Sequence, residues 1–131
     1  MFPGVGEAMV RLLERQGVRV EFPEGQTCCG QPAFNSGYWA DARAAAGNML
    51  DAFEDSDFVI APSGSCVYMF HHYRELFKDD PKRLEQAERL AAKTYEFTQF
   101  LVQVLGVRDV GAYFPHKVTY HPSCHGSRLL G

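Results

Sequence analysis

The sequence predicts an α/β fold: a three-layer arrangement in which a mostly parallel sheet carries helices on both faces. Three observations lead there. Segments with apolar residues at helical spacing alternate with short strand-like runs along the 131 residues. One run, Phe58-Val59-Ile60-Ala61, is apolar without a break, as expected of a parallel strand covered on both faces. Finally, 36 residues separate Cys29 from Cys66, enough for a helix and a strand that return to the same sheet edge.

Taken in order, Val5, Met9, Leu12 and Leu13 share one face of a first helix, with Glu7 and Arg11 an i,i+4 ion pair and Gly17 placed to end it. Val18, Val20 and Phe22 alternate with Arg19 and Glu21, predicting a short strand stopped by Pro23. Glu24 to Gly37 is rich in Gly, Pro, Gln, Asn and Ser and reads as a loop. A second helix is expected from Tyr38 to Phe53, with Tyr38, Ala42, Ala45, Met49 and Phe53 on one side. After the strand at 58–61, Pro62-Ser63-Gly64-Ser65 turns the chain and Cys66 opens a third helix with Val67, Phe70 and Phe77 inward. Asp79-Asp80-Pro81 breaks it. Leu84, Ala87 and Ala91 continue a helical pattern that Leu101, Val104 and Leu105 close, with Thr94-Tyr95-Glu96-Phe97-Thr98 dividing the stretch. Lys117-Val118-Thr119-Tyr120-His121 alternates like a last strand, leading into Pro122-Ser123-Cys124.

Composition narrows the function classes. With 46% apolar and 22% charged residues, the chain is ordinary globular material and not a disordered tail. A net charge of −3 without a basic block argues against nucleic-acid binding by phosphate neutralisation. No apolar run approaches the ~18 residues of a membrane span, and the start lacks the basic and apolar regions of a secretion signal. A cytoplasmic setting is expected. The chain opens on a helix and stops at Gly131 soon after Cys124, so residues 1–131 are expected to be one domain cut from a longer chain.

Four cysteines allow a disulfide framework or a set of thiolate ligands. Cys28 and Cys29 are adjacent, and a bond between sequence neighbours strains the backbone. Two neighbouring thiols on a glycine-containing loop suit a metal or redox centre better. Each cysteine group follows an expected strand: Cys28-Cys29 after Phe22, Cys66 after Ala61 and Cys124 after His121. That is the edge at which open parallel sheets bind ligands. A thiol at a helix N-terminus is biased towards thiolate, and Gly30 and Gly64 give the backbone freedom beside the thiols. Cys124 with His121 and His125 forms a local set suited to zinc, although the two histidines read more simply as the end of a strand and the start of a helix. His71-His72 reads as a surface or core-edge pair, and Tyr38, Trp39, Phe53 and Phe58 as core aromatics. Gly4-Val5-Gly6 lacks the third glycine and preceding strand of a dinucleotide site. No Ser-His-Asp order or carboxylate pair appears, so no catalytic residue is assigned.

Thr27-Cys28-Cys29-Gly30-Gln31-Pro32, Pro62-Ser63-Gly64-Ser65-Cys66 and His121-Pro122-Ser123-Cys124-His125 together resemble the CCG, or cysteine-rich, domain family of iron–sulfur oxidoreductase subunits. That family's motif is a cysteine, a Cys-Cys-Gly pair and a Cys-x-x-Cys pair, usually present twice. The resemblance implies that Cys28, Cys29 and Cys66 are ligands of one centre and that Cys124 opens a second motif. Gly30, Gly64, Ser65, His121 and His125 would support them. Two positions depart from the pattern: no cysteine precedes the Cys-Cys-Gly pair, and Met69 stands where Cys-x-x-Cys has its second thiol.

By the same resemblance the intact parent carries an iron–sulfur cluster, of 4Fe-4S type, and transfers electrons in L-lactate oxidation beside the other subunits of a lactate-oxidising complex. The piece alone is expected to be inactive, and either metal-free or zinc-bound. Two alternatives stay open. One is a zinc-stabilised module that docks partner subunits without carrying electrons; the other is a structural α/β piece whose thiols are idle. An open sheet edge would also invite self-association.

Overall fold

A computed structural model of the chain describes residues 3–121 and 123–125. Helix α1, Pro3–Arg15, starts on a proline, whose fixed φ suits a first helical turn. It carries the expected Glu7–Arg11 pair at 3.8 Å and buries Leu13. Gly17 adopts φ +81°, and the Val18 amide reaches back to the Leu13 carbonyl at 3.1 Å, a glycine-terminated helix end.

The strand expected at Val18–Phe22 does not form. Val18 and Val20 do pack against Leu13, Phe100 and Leu101, which accounts for the alternation, but Phe22 is 81% exposed. A strand needs a ladder partner as well as a buried face, and no described segment pairs with this backbone. The stretch read as a loop at 24–37 contains a short helix α2, Gln31–Asn35, entered through Gly30 at φ +84° with Pro32 in its first turn.

Helix α3, Trp39–Ala52, sets Ala42, Ala46, Met49 and Leu50 into the core. Strand β1, Val59–Ala61, leads into α4, Gly64–Leu76, which begins two residues before Cys66, and then α5, Pro81–Ala92. Asp80 caps α5 by accepting the Arg83 amide at 3.1 Å. Strand β2, Thr94–Glu96, is the divider expected at Thr94–Thr98, and it pairs parallel to β1 in the register Val59–Thr94, Ile60–Tyr95, Ala61–Glu96. Helix α6, Phe97–Gln99, is capped at its N-terminus by a Glu96–Gln99 capping box and runs on into a π-helical turn, Phe100–Val104.

Successive strand residues point to opposite faces, and the core divides accordingly. Val59 joins Met49, Leu50, Met69, Phe70, Tyr73, Phe77, Ala87 and Leu90, the mass contributed by α3, α4 and α5. Ile60 and Tyr95 pack on the other side against Leu13, Phe100 and Leu101. Helices on both faces of a parallel sheet make this an α/β fold.

Two further expectations change. The segment 117–121 is exposed and without regular secondary structure rather than a strand, again with no ladder partner among the described residues. Of the aromatics read as core, Tyr38, Trp39 and Phe58 are exposed. Tyr38 lies outside the helix as the α3 N-cap, so its place in the helical stripe does not exist. Phe58 precedes β1 and packs at the surface against Tyr95 and Phe100, its ring 6.0 and 5.3 Å from theirs.

Candidate functional site

The Cys28-Cys29 loop is fastened to the helices behind it at three points. The Thr27 amide donates to the Met49 sulfur on α3 at 3.1 Å. The Tyr73 hydroxyl on α4, fully buried, donates to the Cys29 carbonyl at 2.8 Å. Gly30 turns in the left-handed region, where an added Cβ would lie 3.0 Å from the Ala42 carbonyl, so the loop backbone lies directly on α3. Cys29 is thereby buried at the edge of the main core, while Cys28 stays exposed.

Cys66 arrives from the other direction. Strand β1 ends at Ala61, Ser63 is the extended residue before α4, and Cys66 is the third residue of that helix. Its amide and that of Val67 both bond the Ser63 carbonyl, at 3.1 and 3.2 Å. Half-buried, Cys66 packs against the core that holds Cys29, and each thiol is the leading influence on the other's ionisation.

The pair is electrostatically asymmetric. The hydrogen bond from Cys29 does most to hold Cys66 as thiolate; burial opposes this and the Ser65 and Ser63 hydroxyls reinforce it, bringing Cys66 down to about 6. The same bond, followed by burial, keeps Cys29 protonated far above the ordinary thiol range. Tyr73 is also held neutral, first by burial and then by the charge of the nearby thiols, which preserves it as a hydrogen-bond donor. Gly64 opens the first turn of α4, and the Ser63 and Ser65 hydroxyls lie 2.9 Å apart.

The last motif reaches the same region through His125, while Cys124 itself is exposed. The His125 ring lies 5.2 Å from Tyr68 on α4, and its Nε2 is 3.5 Å from Nε2 of Gln31, two residues after Cys29. Tyr68 in turn packs on His72, and His72 on Phe34 of α2. His72 is thus the core-edge histidine expected. His121 is exposed in a segment without regular secondary structure. Pro122 of this motif, residues 126–131 and the start Met1-Phe2 lie outside the described residues.

The structure therefore joins Cys29 to Cys66, leaves Cys28 exposed beside them and brings His125 to their flank. No group of three or more His, Cys, Asp or Glu side chains gathers at one point among the described residues. Sequence reasoning missed Tyr73 and Met49. Tyr73 stands seven residues after Cys66, on the same helical face, a spacing that was readable. Met49 contributes a sulfur acceptor to a backbone amide, which no sequence pattern announces.

Comparisons with known proteins converge on this region. The model of the family described as CCG, cysteine-rich domain, matches residues 1–71, which include Cys28, Cys29 and Cys66. Lactate utilization protein A of Geobacillus thermodenitrificans is 58% identical over 130 residues, covering 99% of this chain and 54% of that protein. Lactate utilization protein A of Bacillus subtilis is 59% identical over 127 residues, with 97% and 53% covered, and that of Shouchella clausii 58% over 129, with 98% and 54%. The chain spans about half the length of these relatives. No solved structure matches significantly.

Proposed function

Because the chain belongs to the cysteine-rich CCG domain family, we propose that Cys28, Cys29 and Cys66 are thiolate ligands of an iron–sulfur centre through which a lactate-oxidising system moves electrons. The observation that carries this reading is the meeting of Cys29 and Cys66 between a helix N-terminus and a loop bearing a second thiol. Soft thiolates suit iron–sulfur and zinc sites alike. The described donors fit such a group in kind and fall short in number, so the set is completed by residues beyond them, with Cys124 opening a further motif. The share in lactate use follows the names of the relatives. Partner subunits of a lactate-oxidising complex and a cytoplasmic setting belong to the same proposal, as does the reading of residues 1–131 as one domain. No helix among the described residues is long and apolar enough to cross a membrane.

When bound, the cluster supplies one-electron transfer at a potential set by its surroundings. The residues of this chain set those surroundings. Met69, Phe70 and Met49 form a dry wall behind Cys29, limiting water and lowering the local dielectric. The α4 N-terminus and the Ser63 and Ser65 hydroxyls stabilise negative charge on Cys66. Tyr73 fixes the Cys29 carbonyl, and Gly30 lets the loop lie against α3.

The test is the iron, acid-labile sulfide and zinc content of anaerobically purified protein, both this chain and a version extended to the relatives' length. Iron with sulfide in the longer form supports the proposal. Zinc without sulfide in both replaces it with a docking module that carries no electrons.

A further inference from the structure

We propose that, in the metal-free chain, Cys29 and Cys66 close into a reversible intramolecular disulfide that shuts the thiol site. Closure against metal rests on the ligand reading above; formation of the bond does not.

The geometry selects this pair among the four cysteines. Cys29 and Cys66 come from segments 37 positions apart yet meet in one core, Cys66 packing against the buried cluster that contains Cys29, and each thiol is the leading influence on the other's ionisation. A disulfide needs Cβ atoms roughly 3.5–4.5 Å apart, which two cysteines packed into one cluster reach by side-chain rotation and a backbone adjustment. Both backbones can give. Cys66 lies in the first turn of α4, where helices fray, and Cys29 precedes Gly30, whose left-handed turn is the loop's hinge. Cys28 cannot compete for Cys29 without the strain of a bond between sequence neighbours. The exposed positions of Cys28 and Cys124 make them targets for capping from solvent rather than partners for a buried thiol.

The oxidant is a low-molecular-weight disulfide. The half-buried Cys66 is the sulfur a small molecule can reach, whereas Cys29 is only 6% exposed. Cys66 sulfur attacks one sulfur of the oxidant, forming a mixed disulfide and releasing one small thiol. Cys29 sulfur then attacks Cys66, the mixed disulfide breaks, and the Cys29 proton leaves with the second small thiol. Two protein thiols and one disulfide become one protein disulfide and two small thiols, with two electrons passed to the oxidant. The product withdraws two sulfurs at once from the donor set and leaves Cys28 alone.

The experiment uses the metal-free chain, treated anaerobically with oxidised glutathione, alkylated, digested without reductant and mapped by mass. The expected product is a cross-linked peptide pair containing Cys29 and Cys66, about 2 Da below the sum of the free peptides. Dithiothreitol should reverse it, and the exposed-site variants Cys28→Ser and Cys124→Ser should still form it. Glutathione held stably on Cys66, or chains linked through Cys28 or Cys124 with no Cys29–Cys66 peptide, would overturn the proposal. Zn²⁺ titration of the reduced and oxidised chains then separates the two layers. An affinity lower by about tenfold or more in the oxidised chain supports closure of a ligand site. Equal zinc binding by both forms overturns closure and weakens the ligand reading while leaving the disulfide standing. Zinc bound by the reduced chain without any cross-link removes the disulfide and leaves the ligand reading intact.

Discussion

The hydroxyl of Tyr73 donates a 2.8 Å hydrogen bond to the carbonyl of Cys29, so a fully buried side chain on α4 holds the backbone of the cysteine loop. Tyr73→Phe keeps the ring in the core and leaves that carbonyl without its partner. An unmade buried hydrogen bond costs about 1–3 kcal/mol. The variant should fold with a lower urea midpoint, and Cys29 should exchange and alkylate faster than in the parent chain. An unchanged midpoint together with unchanged Cys29 reactivity would show that the bond does not position the loop.

Gly30 and Gly37 make a matched pair, at φ +84° and +82°. A Cβ at Gly37 meets nothing within 4 Å, whereas at Gly30 it meets the Ala42 carbonyl at 3.0 Å. Gly37→Ala should therefore cost only the left-handed backbone penalty, about 1–2 kcal/mol. Gly30→Ala adds a backbone clash and should be clearly the more destabilising, with the Cys29–Cys66 contact loosened. Chemical denaturation of both variants reads the difference. Equal losses would mean that the loop does not lie against α3.

Asp51 on α3 accepts from both terminal guanidinium nitrogens of Arg83 on α5, one of them at 3.2 Å. The hydrogen bond from Arg83 holds the Asp51 carboxyl below its ordinary value of 3.8. Because the aspartate is largely exposed, the pair contributes only about 0.5 kcal/mol. A carboxylate whose folded value is lowered adds stability above its ordinary value and loses it as the pH falls. Asp51→Asn should thus lower the urea midpoint slightly at neutral pH, and the deficit should shrink as the pH falls below the ordinary value of 3.8. A deficit that persists in acid would assign the loss to packing instead.

Much of the helical frame was readable because it rests on local periodicity. The expected stripe on α3 is right at Ala42 and Met49, with Ala46 rather than Ala45 fully buried, and it and the break at Asp79-Asp80-Pro81 are decided by neighbours a few residues away. Strands were harder for the opposite reason. Val18, Val20 and Phe22 alternate as well as any strand does, yet alternation reports which side is buried and not whether a backbone partner exists. β2 was visible only as a divider, since Thr94 to Glu96 mixes polar and aromatic residues and earns its pairing from β1 through a 32-residue crossover. Of the candidate site, adjacency announced Cys28 and Cys29 and the turn announced Cys66. The contact between Cys29 and Cys66, and the arrival of His125 beside Tyr68, depend on long-range packing that no local pattern encodes.

The Cys29–Cys66 pair gives stability of the metal-free chain an unusual pH profile. Cys66 falls to about 6 from an ordinary 9.0, and Cys29 rises above 9.0. Between about pH 6 and 9 the folded pair holds one proton and the unfolded chain two, so unfolding takes up a proton and stability increases with pH. Above about pH 9 the unfolded chain has lost both protons while folded Cys29 keeps its own, and the slope reverses. Cys66→Ser removes the rising limb. Ser65→Ala should move the alkylation midpoint of Cys66 upward from about 6, because a hydroxyl that stabilises the thiolate is gone. Urea midpoints across this range, paired with iodoacetamide rates at Cys66, test both statements. Cys66 alkylation with a midpoint near 9.0 in the parent chain would mean that the shared proton does not sit on Cys29.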